Sequence, residues 1–118
     1  MLFRSNLTPF RGVSMDSGTA FEVGFMRALG RRVFGYSNVT ANYAARVRAF
    51  RARGIPPEDG DQSDMAIEDF DGAENLMITA AIEAAGGRVV RTAVAPGREI
   101  EDLAGFEACL QQVIAAFA

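Results

Sequence analysis

A chain of 118 residues, 49% hydrophobic and 23% charged, has the composition of a single globular domain with one core. A net charge of −3 argues against a general nucleic-acid binder, and the lack of histidine excludes His-based metal sites, catalytic triads and proton shuttles. The single Cys109 excludes an internal disulfide and suits a reducing, cytoplasmic compartment, while no apolar run approaches the length needed to span a membrane.

Residues 2–7 read as a strand that enters a loop at Thr8-Pro9. The segment from Asn6 to Ser17 is rich in turn formers and reads as a strand-to-ligand loop. Residues 18–29 form a first helix ended by Gly30, and Arg32–Tyr36 form a short strand of Val and aromatic residues. Thr40 can cap a second helix running to about Ala52, whose Arg46, Arg48, Arg51 and Arg53 read as a solvated basic face. Gly54–Asp64 is a loop marked by Pro56-Pro57 and several acids, and Met65–Phe70 is a candidate for a brief strand. Ala73–Ala85 reads as a helix stopped by Gly86-Gly87, and Arg88–Thr92 as a further strand. Residues 99–117 form an amphipathic helix with Leu103, Phe106, Leu110, Val113, Ile114 and Phe117 as its apolar stripe, and with Cys109 as a small buried residue. Strands alternating with helices specify an α/β domain, a parallel sheet with helices on both faces. Ligands of such sheets bind beyond the carboxyl ends of the strands, where the Asn6–Ser17 loop lies.

Within this pattern Asp16-Ser-Gly-Thr-Ala-Phe-Glu22-Val-Gly24 stands out. It is a tight turn running into the first helix, with a carboxylate on each side. Asp16, Ser17 and Thr19 all suit a helix N-cap, and Gly18 permits close approach of backbone to a ligand. At 100° per residue the angular neighbours of Glu22 are Phe25, Leu29 and Met26, so its carboxylate is expected to be desolvated, as functional carboxylates often are. Two blander readings stand beside this one. Thr19-x-x-Glu22 also has the spacing of a capping box, and Asp16 also suits a plain helix cap.

The wider wording carries a resemblance. Asn6-Leu-Thr-Pro-Phe-Arg-Gly12, the Asp16–Gly24 stretch, Ala28-Leu-Gly30 and Val33-Phe-Gly-Tyr36 are followed by Glu68-Asp-Phe70 and Asn75-Leu-Met-Ile78. In this order the set resembles the nucleoside 2-deoxyribosyltransferase family, from Asn6 to about Phe117. The resemblance implies a Rossmann-like or flavodoxin-like sheet and an enzyme that moves a 2-deoxyribosyl group between nucleobases. It needs no cofactor or metal and works on small 2-deoxynucleosides and free bases, with no role for nucleic acid or membrane. Glu22 matches the family's nucleophile, which would form a glycosyl-enzyme and give net retention. Asp16 matches the residue that holds the sugar hydroxyls, Gly18 lies between them, and Asn75 and Met77 match the family's Asn-x-Met positions near the sugar. The resemblance further implies a homo-oligomer with sites at subunit contacts, so that Asn75 could serve a neighbouring protomer. Without the resemblance, Asn75 could be a helix cap and Met77 plain core.

Residues 1–118 are then one deoxyribosyltransferase-like domain matching the C-terminal two-thirds of the family pattern, with the family's earlier strands and helices missing. Arg4 and Ser5 interrupt what should be an apolar central strand, and residues 1–5 read as foreign to the domain. Two other functions remain open at this point. One is a 2-deoxynucleoside 5′-monophosphate N-glycosidase, disfavoured because Asp16 would repel a phosphate where a hydroxyl would donate to it. The other is a non-catalytic nucleoside-binding module, disfavoured by the retention of both carboxylates.

Overall fold

The computed structural model describes residues 2–54 and 66–118. Seven elements follow in the order β1 (Phe3–Asn6), α1 (Ser17–Ala28), β2 (Val33–Ser37), α2 (Tyr43–Ala52), α3 (Leu76–Ala84), β3 (Val89–Arg91) and α4 (Ala104–Phe117). The strands form one parallel sheet in the order β1-β2-β3, with Phe3 opposite Val33 and Gly35 opposite Val89. The expected α/β fold is therefore present, with helices on both faces.

The two faces follow from the alternation of side chains along β2. Val33 joins Leu7, Met15, Val23 and Ile82 in a core beneath α1 and α3. Phe34 points the other way and packs with Cys109 and Val113 of α4. Gly35 returns to the first face, where Leu7 and Ile82 crowd against it so closely that a β-carbon would lie 2.9 Å from a Leu7 methyl. Tighter still is the turn after α3, where a β-carbon on Gly87 would meet the Val33 carbonyl oxygen. This contact lets the chain leave α3 and drop directly into β3.

Arg4 and Ser5 both find places. β1 pairs only with β2 among the described residues, so it is not buried on both edges. Ser5 is buried and its hydroxyl donates to the Phe34 carbonyl at 3.1 Å. Arg4 is exposed and lays its guanidinium over the Phe106 ring, 5.2 Å from the centroid.

Several boundaries differ from the sequence expectation, and each has a local cause. The second helix starts at Tyr43, with Asn42 rather than Thr40 at its cap. There the Tyr43 amide is taken by the Gly72 carbonyl, and the Thr40 carbonyl and Asn42 side chain both accept from Arg91. The third helix starts at Leu76 rather than Ala73, because Asn75 caps it. The fourth starts at Ala104 rather than residue 99. The Asn38 amide nitrogen donates to the Glu99 and Asp102 carbonyls, its oxygen accepts from the Gly105 amide, and this holds 99–103 as turns. Residues 66–70 form no strand, since the Glu68 carboxylate is drawn to the start of α3. The 55–64 part of the acidic loop, and Met65, lie outside the described residues.

The apolar stripe of α4 is also rotated from the expected one. Gly105, Cys109 and Val113 form the buried line, while Leu103, Ile114 and Phe117 are exposed. Burial pushes the Cys109 thiol above its ordinary pKa, against a smaller opposing pull from Arg4. Cys109 should therefore resist iodoacetamide at neutral pH in the folded protein and react only as the chain unfolds. Labelling that runs ahead of the loss of circular dichroism would contradict the packing of α4 on β2.

Candidate functional site

The loop from Leu7 to Asp16 leaves the carboxyl end of β1, where open parallel sheets bind ligands. Asn6 opens it with an Asx turn, accepting from the Thr8 amide at 3.0 Å. The Thr8 hydroxyl then accepts from the Asn38 amide at 3.0 Å, tying this loop to the one after β2. Further along, Phe10 N–H donates to the Ser14 carbonyl at 2.8 Å. Inside that closure Arg11 adopts a left-handed conformation with φ 55°, and Gly12 follows at φ 154°. Left-handed backbone at a residue with a side chain costs roughly 1–2 kcal/mol, and such strain concentrates at functional sites. Residues 10–17 line a cleft of about 390 Å³. That volume lies at the small end of the range of roughly 300–1,000 Å³ typical of small-molecule sites.

Asp16 lies in this cleft wall and caps α1. Its Oδ2 accepts from the Thr19 amide at 3.0 Å and from the Thr19 hydroxyl at 3.4 Å. No hydrogen bond reaches its Oδ1 among the described residues. The plain-cap reading of Asp16 is thus correct as far as it goes, and it leaves one carboxylate oxygen unused. Gly18 sits in the first turn of α1, where an added β-carbon would stand 3.0 Å from Asp16 Oδ2. The absence of that carbon keeps the carboxylate in place.

Glu22 lies six residues beyond Asp16, about 9 Å along the helix at 1.5 Å per residue. The capping box is not made: Asp16 is the N-cap, and Glu22 makes no hydrogen bond or ion pair among the described residues. The expected desolvation of Glu22 is not found either, because Glu22 is exposed. Helix α1 is buried through Val23, with Ala20 and Met26 partly covered, against β1 and α3. Phe21, Phe25 and Leu29 are 74%, 54% and 54% exposed, so the sector holding Glu22 is apolar yet uncovered in the single chain.

Asn75 and Met77 open α3. Asn75 is its N-cap, accepting from the Met77 amide at 2.9 Å through Oδ1, and its side-chain nitrogen donates to Glu68 at 3.3 Å. Glu68 also takes the Leu76 amide at 2.7 Å, which gives the Glu68-Asp-Phe70 motif a structural task. The helix-cap reading of Asn75 therefore holds. The core reading of Met77 does not, since it is 78% exposed.

Sequence reasoning missed Glu74 and misjudged Arg46. Glu74 is 1% exposed and receives four donors. Its Oε1 accepts from the Ser14 hydroxyl at 2.5 Å and the Asn75 amide at 3.0 Å. Its Oε2 accepts from the Met15 amide at 3.0 Å and from Arg46 at 3.2 Å. Arg46, expected on a solvated face, instead points inward and also donates to the carbonyls of Val13 at 2.9 Å and Ala41 at 2.8 Å. Burial pulls its guanidinium pKa down, and neighbouring Glu74 opposes that pull, so the group stays charged. Arg48, by contrast, lies on the expected exposed face, where it pairs with Asp69 at 2.7 Å.

Among the described residues no cluster of His, Cys, Asp or Glu could hold a metal ion, and no helix is long and apolar enough to cross a membrane. A strand-to-helix loop with a cleft, an Asp cap and, six residues later, a Glu that is unpaired among the described residues lie where open α/β sheets bind small molecules. The family model for nucleoside 2-deoxyribosyltransferase matches residues 2–77, more than half of the chain, and the chain belongs to that family. The match contains Asp16, Gly18, Glu22, Asn75 and Met77. It supports deoxyribosyltransferase-type function, with nucleosides and nucleobases as the substrate class. No curated protein matches the chain.

Proposed function

We propose that the chain transfers a 2-deoxyribosyl group from one nucleobase to another through a covalent intermediate on Glu22. The observation that supports this most is the Glu22 carboxylate, unpaired among the described residues, on the helix that Asp16 caps and within the stretch matched by the family. In the first step a Glu22 oxygen attacks C1′ of the nucleoside. The C1′–N bond breaks, and the departing base keeps its electron pair and takes a proton. In the second step a ring nitrogen of the incoming base attacks C1′ from the opposite side and gives up its proton. The ester bond breaks and the carboxylate is restored. Two inversions give net retention.

Asp16 accepts from the sugar hydroxyls through its unused Oδ1, and Gly18 leaves room for it. Asn75 and Met77 border the sugar, in the same chain or across a subunit contact. The uncovered Phe21, Phe25 and Leu29 beside Glu22 support a homo-oligomer in which a second copy covers this sector and desolvates the nucleophile. The buried, reduced Cys109 is in keeping with work in the cytoplasm. Incubation with deoxyinosine and free adenine tests the reading. Deoxyadenosine is the expected product. Free deoxyribose without exchange would make the chain a hydrolase, and no turnover by folded protein would make it a binding module.

The choice of nucleosides over nucleotides rests on Asp16. A serine there keeps the helix cap and replaces a repelling carboxylate with a donor. Asp16→Ser should raise the rate on 5′-monophosphates relative to nucleosides by about tenfold or more, since close like charges in a partly desolvated site repel by a few kcal/mol. An unchanged ratio would mean that Asp16 does not read the 5′ end.

A further inference from the structure

We infer that Glu74 is a positioning residue that locks the Asp16 loop and the start of α3 into a single block, fixing Asp16 relative to Asn75. The inference deepens the proposed function and rests on it for what the two ends of the block do. Its geometric basis is independent of that function. Three consecutive residues before Asp16 are held by one buried ion pair: Val13 through its carbonyl to Arg46, Ser14 through its hydroxyl to Glu74, and Met15 through its amide to Glu74. On the other side the same carboxylate accepts the amide of Asn75, the cap of α3. The acid thus lies in chain between two substrate-side residues, 58 positions from one and adjacent to the other (74 − 16 = 58).

A purely stabilising role explains this poorly. Buried ion pairs can often be replaced by apolar residues without loss of stability, so their net contribution to folding is small and variable. Carboxylate geometry is what this position needs. The four donors come from the Leu7–Asp16 loop, from α2 and from the cap of α3, and no buried side-chain nitrogen or oxygen among the described residues is left without a partner. A group that accepts from both sides with both oxygens sets the spacing between those sides. An amide there must turn one donor toward another, because its nitrogen cannot accept.

Glu74→Gln tests the assignment in the full chain, by amide hydrogen exchange and by base exchange between deoxyinosine and adenine. Exchange at Met15 and Asn75 should accelerate together, by about tenfold or more, while the amides of β2 keep their protection. The kcat/KM for base exchange should fall about tenfold or more, as expected for small displacements of positioning groups. Repeating Glu74→Gln in an Asp16→Asn background separates positioning from general destabilisation. If Glu74 acts through Asp16, its effect shrinks in that background. Equal effects in both backgrounds, or faster exchange at only one of the two amides, would overturn the assignment. Should Glu74→Gln not fold, Ser14→Ala removes one bond to the same carboxylate. It should speed Met15 exchange and lower kcat/KM about threefold, the loss expected of a single hydrogen bond; no change in either would overturn the assignment. A wild-type chain without base exchange would sink the proposed function alone, because the paired amide rates still decide whether Glu74 joins the two sides.

Discussion

Glu22→Ala is expected to abolish base exchange, by several orders of magnitude in kcat, while leaving the fold as stable as before. Loss of a covalent nucleophile removes the pathway rather than weakening it. The structural cost should be near zero because Glu22 is exposed and unpaired among the described residues, and alanine is the better helix former. The two readouts therefore separate: turnover collapses and the melting temperature does not. A variant that keeps a tenth of the wild-type rate, a figure well above the residue left by lost nucleophiles, would remove Glu22 from the chemistry.

Arg46→Ala is expected to have the largest effect on stability, about 3–5 kcal/mol, the usual result of leaving a buried charge unpaired. Glu74 would keep three neutral donors and lose the one cation it meets among the described residues, and the carbonyls of Val13 and Ala41 would lose a donor. Against a typical total of about 5–15 kcal/mol, that would leave a marginal protein. The exposed pair provides the comparison. Arg48→Ala breaks the contact with Asp69, whose partners are 57% and 45% exposed, and should cost less than about 1 kcal/mol. Urea midpoints of the two variants give both numbers. Equal small losses would mean that the Arg46–Glu74 pair is solvated in solution, which would also remove the basis for Glu74 as a positioning residue.

The sequence made much of this architecture readable, for physical reasons that also mark where reading stops. The strands at β1, β2 and β3 and the central turns of each helix follow from residue type and spacing, but the buried line of α4 does not. Helix starts were less legible, because the start of α2 is set by long-range contacts to Gly72 and Arg91, and the turns before α4 by the Asn38 side chain. Of the residues nearest Glu22 by angle, Phe25 and Leu29 are exposed, while Met26 is partly buried against the core. Angle says nothing of whether another surface covers the sector, so the desolvation expected there was not found. Glu74 gave no signal of its own, being an acid between Ala73 and Asn75 with its cation 28 residues away. Arg46 looked like one of four arginines on a solvated face, and its inward turn is set by the long-range contacts to the Val13 carbonyl and Glu74.

The covalent step can be observed directly. Folded wild-type chain is mixed with a slow 2-fluoro nucleoside, quenched, digested and analysed by mass spectrometry. The account predicts a fluorosugar ester on the peptide containing Glu22, absent from Glu22→Ala, and lost when a free base is added before quenching. A sugar adduct on a different residue, or base exchange that proceeds with no adduct at all, would contradict it.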